Sequence, residues 1–186
     1  MRRFAAWGNR VARQVAIVLG LGALAAAPLS AQQAQTREGF WIGFGFGYGS
    51  LGVSDFGSRE GGVSGYLKLG GTVKPNLLIG AESSGWYKSE NGVTLNTGLL
   101  AGTVTVYPAP ASGFFLKGGV GVTATKLEVS GFGSGTDTGW GLIGGVGYDA
   151  RVARNMSITP VANWVYGGFD GYNTNVVQIG LGLTWH

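Results

Sequence analysis

Cysteine is absent from all 186 residues, and histidine occurs once, as His186. Without thiols there can be no disulfide, no lipid-modified N-terminal cysteine and no thiol chemistry, so anchoring must come from the fold itself. Metal sites built on Cys and His fail on the same inventory, and nothing in the loop acids supports an all-oxygen cation site. No cofactor is expected. Long apolar runs are also missing: the uncharged stretch 15–27 is well short of the roughly 20 residues a helix needs to cross about 30 Å of hydrocarbon. A basic cluster is absent too. The formal net charge of +4 equals the contribution of Arg2, Arg3, Arg10 and Arg13, so the chain beyond them is formally neutral. Nucleic-acid binding, which needs Lys and Arg gathered on one face, is thereby disfavoured.

Those four arginines precede the apolar run, and Pro28-Leu29-Ser30-Ala31 follows it. A positive segment, a short apolar segment and a small residue form the order of a secretory signal peptide, with cleavage expected after Ala31. Residues 1–31 are therefore read as the leader, 32–39 as a short periplasmic segment and 40–186 as the folded domain.

The 37 glycines would ordinarily suggest a linker or a fibrous chain. Here they alternate with large apolar residues. In Phe40-Trp41-Ile42-Gly43-Phe44-Gly45-Phe46-Gly47-Tyr48-Gly49 every even position from Phe40 to Tyr48 is apolar or aromatic, and every odd position from Gly43 is glycine. A period of two belongs to a β-strand with two unlike faces. The pattern recurs in eight candidate strands, at about 40–50, 62–73, 77–87, 93–107, 114–129, 139–151, 156–167 and 177–185. In the fourth, Val93, Leu95, Leu99 and Ala101 share a face, but Val104 and Val106 break the alternation, so a bulge is expected there. Connections at 74–76, 108–112 and 152–154 read as short turns, and those at 51–61, 130–138 and 169–174 as longer loops. This points to an all-β, eight-stranded antiparallel up-and-down transmembrane β-barrel with both termini periplasmic.

A soluble lipocalin-like carrier also has eight strands. It would place apolar residues inside and charged ones outside. Here each strand's charges lie on its Gly, Ser and Thr side, and the aromatics opposite would not fit one narrow lumen. Facing lipid they are favourable, with Phe40, Tyr48, Tyr87, Tyr148, Tyr166 and Trp185 at strand ends suited to interfacial girdles.

The chain resembles the small outer-membrane β-barrel proteins of the OmpA or OmpX type. The resemblance runs from Phe40 to the end. It rests on the leader, the repeated amphipathic strands and the terminal Gln178-Ile179-Gly180-Leu181-Gly182-Leu183-Thr184-Trp185. It implies that the strand carrying Ile179, Leu181, Leu183 and Trp185 is read by the barrel assembly machinery. The usual pattern ends on the aromatic, and this chain departs from it with His186. The implied surroundings are outer-membrane lipid and lipopolysaccharide, with a monomer expected.

Lys68, Glu82, Lys117, Asp149 and Arg151 fall on the inward faces. Lys68 and Glu82 should oppose one another across a tight hairpin, and Lys117 and Asp149 should relate similarly across 130–138. One reading is a plugged, charge-neutral lumen, since eight strands enclose just enough room for side chains. The other is that these are ordinary solvated charges. Asp55, Arg59, Glu60, Phe132 and Tyr172 are the loop residues available to a partner. Catalysis is not expected. The lone histidine is predicted at the opposite end from Ser50 and Ser84, and no spacing selects an acid dyad among Asp55, Glu60, Asp137 and Asp170. Gly47-Tyr48-Gly49-Ser50-Leu51-Gly52 fits a phosphate-loop pattern, but no helix follows it. The expected role is a structural outer-membrane barrel serving envelope integrity or surface interactions; a narrow channel for ions or small solutes is the alternative.

Overall fold

The computed structural model describes residues 37–54, 57–131 and 133–186. The expected leader, and with it the expected cleavage site after Ala31, lies outside them. The described chain runs β1 (Phe40–Val53), β2 (Arg59–Lys74), β3 (Leu77–Glu90), β4 (Val93–Val106), β5 (Phe114–Val129), β6 (Gly133–Tyr148), β7 (Ala150–Ala153), β8 (Met156–Gly168) and β9 (Asn173–Trp185). From β1 to β6 each strand pairs antiparallel with the next, β8 pairs with both β6 and β7 and with β9, and β9 returns to β1. β6 and β7 are therefore two parts of one stave, broken at Asp149, and the sheet closes as the eight-stranded up-and-down barrel. The base is the end where β1 starts and β9 finishes, and the mouth is the opposite end.

The stagger of the staves can be read from the register. From Gly43 the paired residues run through Lys68, Glu82, Ala101, Gly121, Gly141, Gly167 and Thr174 and return to β1 at Val53, ten residues along from the start. A barrel sheared in this way has strongly tilted strands, roughly 35–45° from the axis. Side chains at one height in the lumen consequently come from positions well out of register with one another.

The wall faces outward with Phe44, Phe46, Leu67, Leu69, Ile79, Leu100, Val104, Leu116, Val120, Ile179 and Leu181 exposed. Tyr48, Tyr87 and Trp140 mark this band toward the mouth, and Phe40, Phe114 and Trp185 mark it toward the base. An apolar belt between aromatic rows is the face a barrel presents to lipid.

Two expectations are corrected. β4 contains no bulge, since its pairing with β3 and with β5 is continuous from Val93 to Val106. What changes along β4 is which face is apolar. Leu100, Val104 and Val106 point outward in the wall, whereas Leu99 and Ala101 are buried inside. The strand fills the lumen along one part of its length and meets lipid along another, so a regular backbone carries an irregular sequence pattern. The contrast of short turns with long loops is also absent. β1 and β2 extend to Val53 and Arg59, β6 begins at Gly133, and the 107–113 connection at the base spans more residues than the mouth connections. The Asn91-Gly92 link is a two-residue hairpin turn with φ of 52° and 78° at the two positions, the left-handed conformation that Asn-Gly accepts at least cost.

Inside the barrel are two packed clusters. Trp41, Tyr66, Leu78, Tyr107, Phe115 and Val161 fill the base half. Leu51, Trp86, Leu99, Ala101, Ile143, Val165 and Val176 fill the mouth half.

Candidate functional site

The lumen gains its contents through the glycines of the inward face. Trp41 stands in register with Gly70, Tyr66 with Gly45, and Phe115 with Gly147. A Cβ on Gly45 would meet the Tyr66 ring at 2.7 Å, and one on Gly43 would meet Lys68 Cε at 2.8 Å. Each large inward side chain therefore occupies space that a bare neighbour leaves, which is how a narrow barrel accepts aromatic rings on both faces. The sequence reading placed the aromatics outside and missed Trp41, Tyr66, Trp86 and Phe115. Their signal was parity: each lies on the glycine-bearing face of its own or its partner strand.

Charges thread between those rings. Lys117 Nζ donates to Glu82 Oε1 and Oε2 at 2.5 and 2.6 Å, with the Glu82 residue only 1% exposed. Lys68 is in register with Glu82, and its Nζ lies 5.1 Å from the centre of the Phe115 ring and 5.9 Å from that of Trp41. The expected relation between Lys117 and Asp149 is not formed. Tilt carries Lys117 toward Glu82, and Lys117 itself registers with Gly145. Asp149 instead organises the base. Its carboxylate accepts hydrogen bonds from Tyr107 Oη at 2.6 Å and from Thr159 Oγ1 at 2.7 Å, and His186 Nε2 lies 3.5 Å from Oδ2. Its backbone N–H donates to Gly113 rather than continuing the ladder, which is where β6 and β7 part. Arg151, expected in the lumen, sits half-buried on β7 beside this break.

Arg37 is a further residue the sequence reading did not single out. Its Nη1 and Nη2 donate to the carbonyls of Pro110 and Ser112 at 3.0 and 2.9 Å, and its Cζ lies 3.4 Å from the Tyr107 ring centre. Arg37, just before β1, thus ties the start of the described chain to the 107–113 connection at the base. The His186 side chain, 1% exposed, is likewise at the base, away from Ser50 and Ser84.

Toward the mouth the lining turns apolar. Trp86 is buried and donates through Nε1 to the Gly49 carbonyl at 3.0 Å, while Ser84 Oγ donates to Gln178 Oε1 at 3.0 Å. The void lined by Ser84, Trp86, Thr97, Leu99, Val176 and Gln178 is about 10 Å³. One water needs about that much.

Of the loop residues, Asp55 and Phe132 lie outside the described residues. Arg59 is committed to its own barrel, donating to Ser50 Oγ and O and to Asn175 Oδ1 at 3.0, 2.6 and 2.5 Å. Glu60 holds Lys88 at 2.6 Å, and Lys88 also meets Glu90 at 2.7 Å. Tyr172 stacks on Phe169 with ring centres 4.8 Å apart, and its Oη donates to Asp137 Oδ2 at 3.1 Å. Partial burial and then the Asp137 carboxylate push the Tyr172 phenol above its ordinary pKa, so it stays a donor. On β9, Ile179, Leu181 and Trp185 are exposed on the outer wall with Leu183 half-buried beside them, and Trp185 stacks on Phe44 at 6.0 Å across the closing seam. Among the described residues no group of three or more His, Asp or Glu could hold a metal ion.

The fold is shared with solved outer-membrane proteins. Ail, the attachment invasion locus protein of Yersinia pestis, is 14% identical in its complex with the heparin analogue sucrose octasulfate, with a TM-score of 0.62 over 79% of this chain and 99% of Ail. Neisserial surface protein A is 15% identical, with a TM-score of 0.60 over 80% of this chain and 97% of that one. OprG of Pseudomonas aeruginosa is 13% identical, with a TM-score of 0.52 over 83% and 100%. At such identities the likeness is one of fold. No curated protein matches the chain by sequence. The model of the outer membrane protein β-barrel domain does match, over residues 18–184, and with the closed sheet, the lipid-facing belt and the filled interior it places this chain in that family.

Proposed function

We propose that the protein is a structural, non-conducting barrel of the outer membrane, serving envelope integrity or contacts made at its mouth. The observation that carries this reading is the filled lumen. Aromatic rings, the Glu82–Lys117 pair and the Asp149 network occupy the base half, aliphatic side chains pack around Trp86 in the mouth half, and the void beside Trp86 and Gln178 is about 10 Å³. An ion crossing this interior would have to shed its water among hydrocarbon, at a cost of several kcal/mol or more. Residues 1–31 act as the export signal, 32–39 remain on the periplasmic side and 40–186 form the barrel domain. The base then faces the periplasm. The β9 strand is the segment offered to the assembly machinery, and the barrel works as a monomer among lipid and lipopolysaccharide.

Binding of a sulfated sugar, as in the Ail complex, does not carry over. Arg59, Lys88 and Lys126 at the mouth are all hydrogen-bonded within the protein, the two lysines to carboxylates, so no open basic patch faces outward among the described residues. Among the described residues no arrangement of nucleophile and base recommends an enzyme.

Planar-bilayer recording tests the reading. The purified barrel is expected to be nearly silent. Steady, large conductance would overturn the plug and favour a narrow channel.

A further inference from the structure

We propose that the mouth of the barrel is a binding cup for a small amphiphilic ammonium ion, its alkyl part lodged on inward-facing aliphatic side chains and its head at the Asp137 carboxylate beside Tyr172.

The cup follows from a reversal of polarity along the strands. Within the membrane belt β5 turns Leu116, Val120 and Val122 outward, but beyond Ala124 its outward residues are Lys126 and Glu128 and its inward ones Thr125, Leu127 and Val129. β4 reverses likewise, with Asn96 outward and Leu95 inward. Strands that have left the lipid thus turn apolar side chains toward one another across the mouth. They do not meet. Leu51, Val53, Leu95 and Leu127 line a cavity of about 730 Å³, and Leu127 is 46% exposed although it faces inward. The volume lies within the range of small-molecule sites, about 300–1,000 Å³. Below it, Leu51 belongs to the buried cluster with Trp86, Leu99 and Val176, against which Val53 and Leu95 pack, so the cup has a closed floor.

Charge decides the class of ligand. The charged side chains among the described lining residues are Glu60 and Asp137. Glu60 is engaged by Lys88. Asp137 makes no ion pair among the described residues and receives one hydrogen bond, from Tyr172 Oη to Oδ2, which leaves Oδ1 for a guest. Tyr172 also lines the cavity and is braced by its stack on Phe169. A fixed aromatic ring next to a carboxylate attracts an ammonium by its quadrupole as well as by charge. The Asp137 carboxylate repels an anion, and a neutral guest gains little from it.

The test is calorimetric titration of hexyltrimethylammonium into the full barrel in phosphatidylcholine nanodiscs, against empty discs, with hexanoate as the counterpart of opposite charge. Saturable binding of the cation, absent for hexanoate, is expected. Asp137→Asn should weaken it about tenfold, and Leu127→Gln should weaken it separately through the apolar wall. A heat-dependent gel shift reports that each variant remains a closed barrel. No saturable binding above empty discs, equal binding of hexanoate, or unchanged affinity in both variants would overturn the proposal.

Discussion

In the base half of the lumen the contents are held by directional interactions: Lys117 clamps Glu82, and Tyr107 and Thr159 converge on Asp149 while Arg37 caps the Pro110 and Ser112 carbonyls. In the mouth half, Leu51, Leu99, Ala101, Ile143, Val165 and Val176 pack around Trp86, and the hydrogen bonds there, such as Trp86 to the Gly49 carbonyl and Ser84 to Gln178, join uncharged groups. Both halves are closed, but they should fail differently. A buried charge depends on one named partner, and its loss leaves an uncompensated ion. An aliphatic side chain shares its contacts among many neighbours, and its loss leaves a cavity whose cost grows with volume.

The sharpest way to break the comparison is to remove one ion. Lys117→Met should lower unfolding free energy by about 3–5 kcal/mol, because buried Glu82 then loses the cation that donates to both its oxygens. Adding Glu82→Leu should recover most of the loss, measured by urea unfolding in lipid vesicles. Persistence of the full loss in the double variant would show that Lys117 acts through packing instead. In the mouth half Leu99→Ala should cost about 2–4 kcal/mol, with no single partner change restoring it. The smallest expected effect separates the two faces of the wall. Gly45→Ala should cost about 1–3 kcal/mol by driving a methyl group against Tyr66. Gly71→Ala, where a Cβ would find nothing within 4 Å, should be close to neutral in the same assay.

The outer surface was the more legible part of the chain. The alternation of Phe40 to Tyr48 and of Val177 to Trp185 describes strands with one constant apolar face, because both cross the lipid belt with their large residues outward. β4 was misread for the complementary reason. Leu99 and Ala101 fill the lumen, Leu100 and Val104 meet lipid, and a test that assigns one apolar face per strand cannot represent both. Parity assigned Lys68, Glu82, Lys117 and Asp149, all of them buried, to inward faces, and Arg151 as well, which sits half-buried on β7. It could not pair them, since the Glu82–Lys117 contact depends on barrel shear, a property of all eight staves together. The mouth was least legible: Leu127 reads as one more apolar strand residue, and its position over a cavity depends on where the membrane belt stops.

The sequence by itself determined that this chain forms strands with one lipid-compatible face, because a period of two with glycine opposite large apolar residues has no other stable packing. It also determined the order of the staves, because each connection is short enough to force antiparallel neighbours. Only the tertiary structure decided which charge meets which, that Asp149 ends β6, and that the mouth holds an apolar cavity above a packed lumen. Those features depend on closure: tilt and stagger bring together side chains from strands that are neither adjacent nor in register, and no local pattern in the sequence encodes that distance.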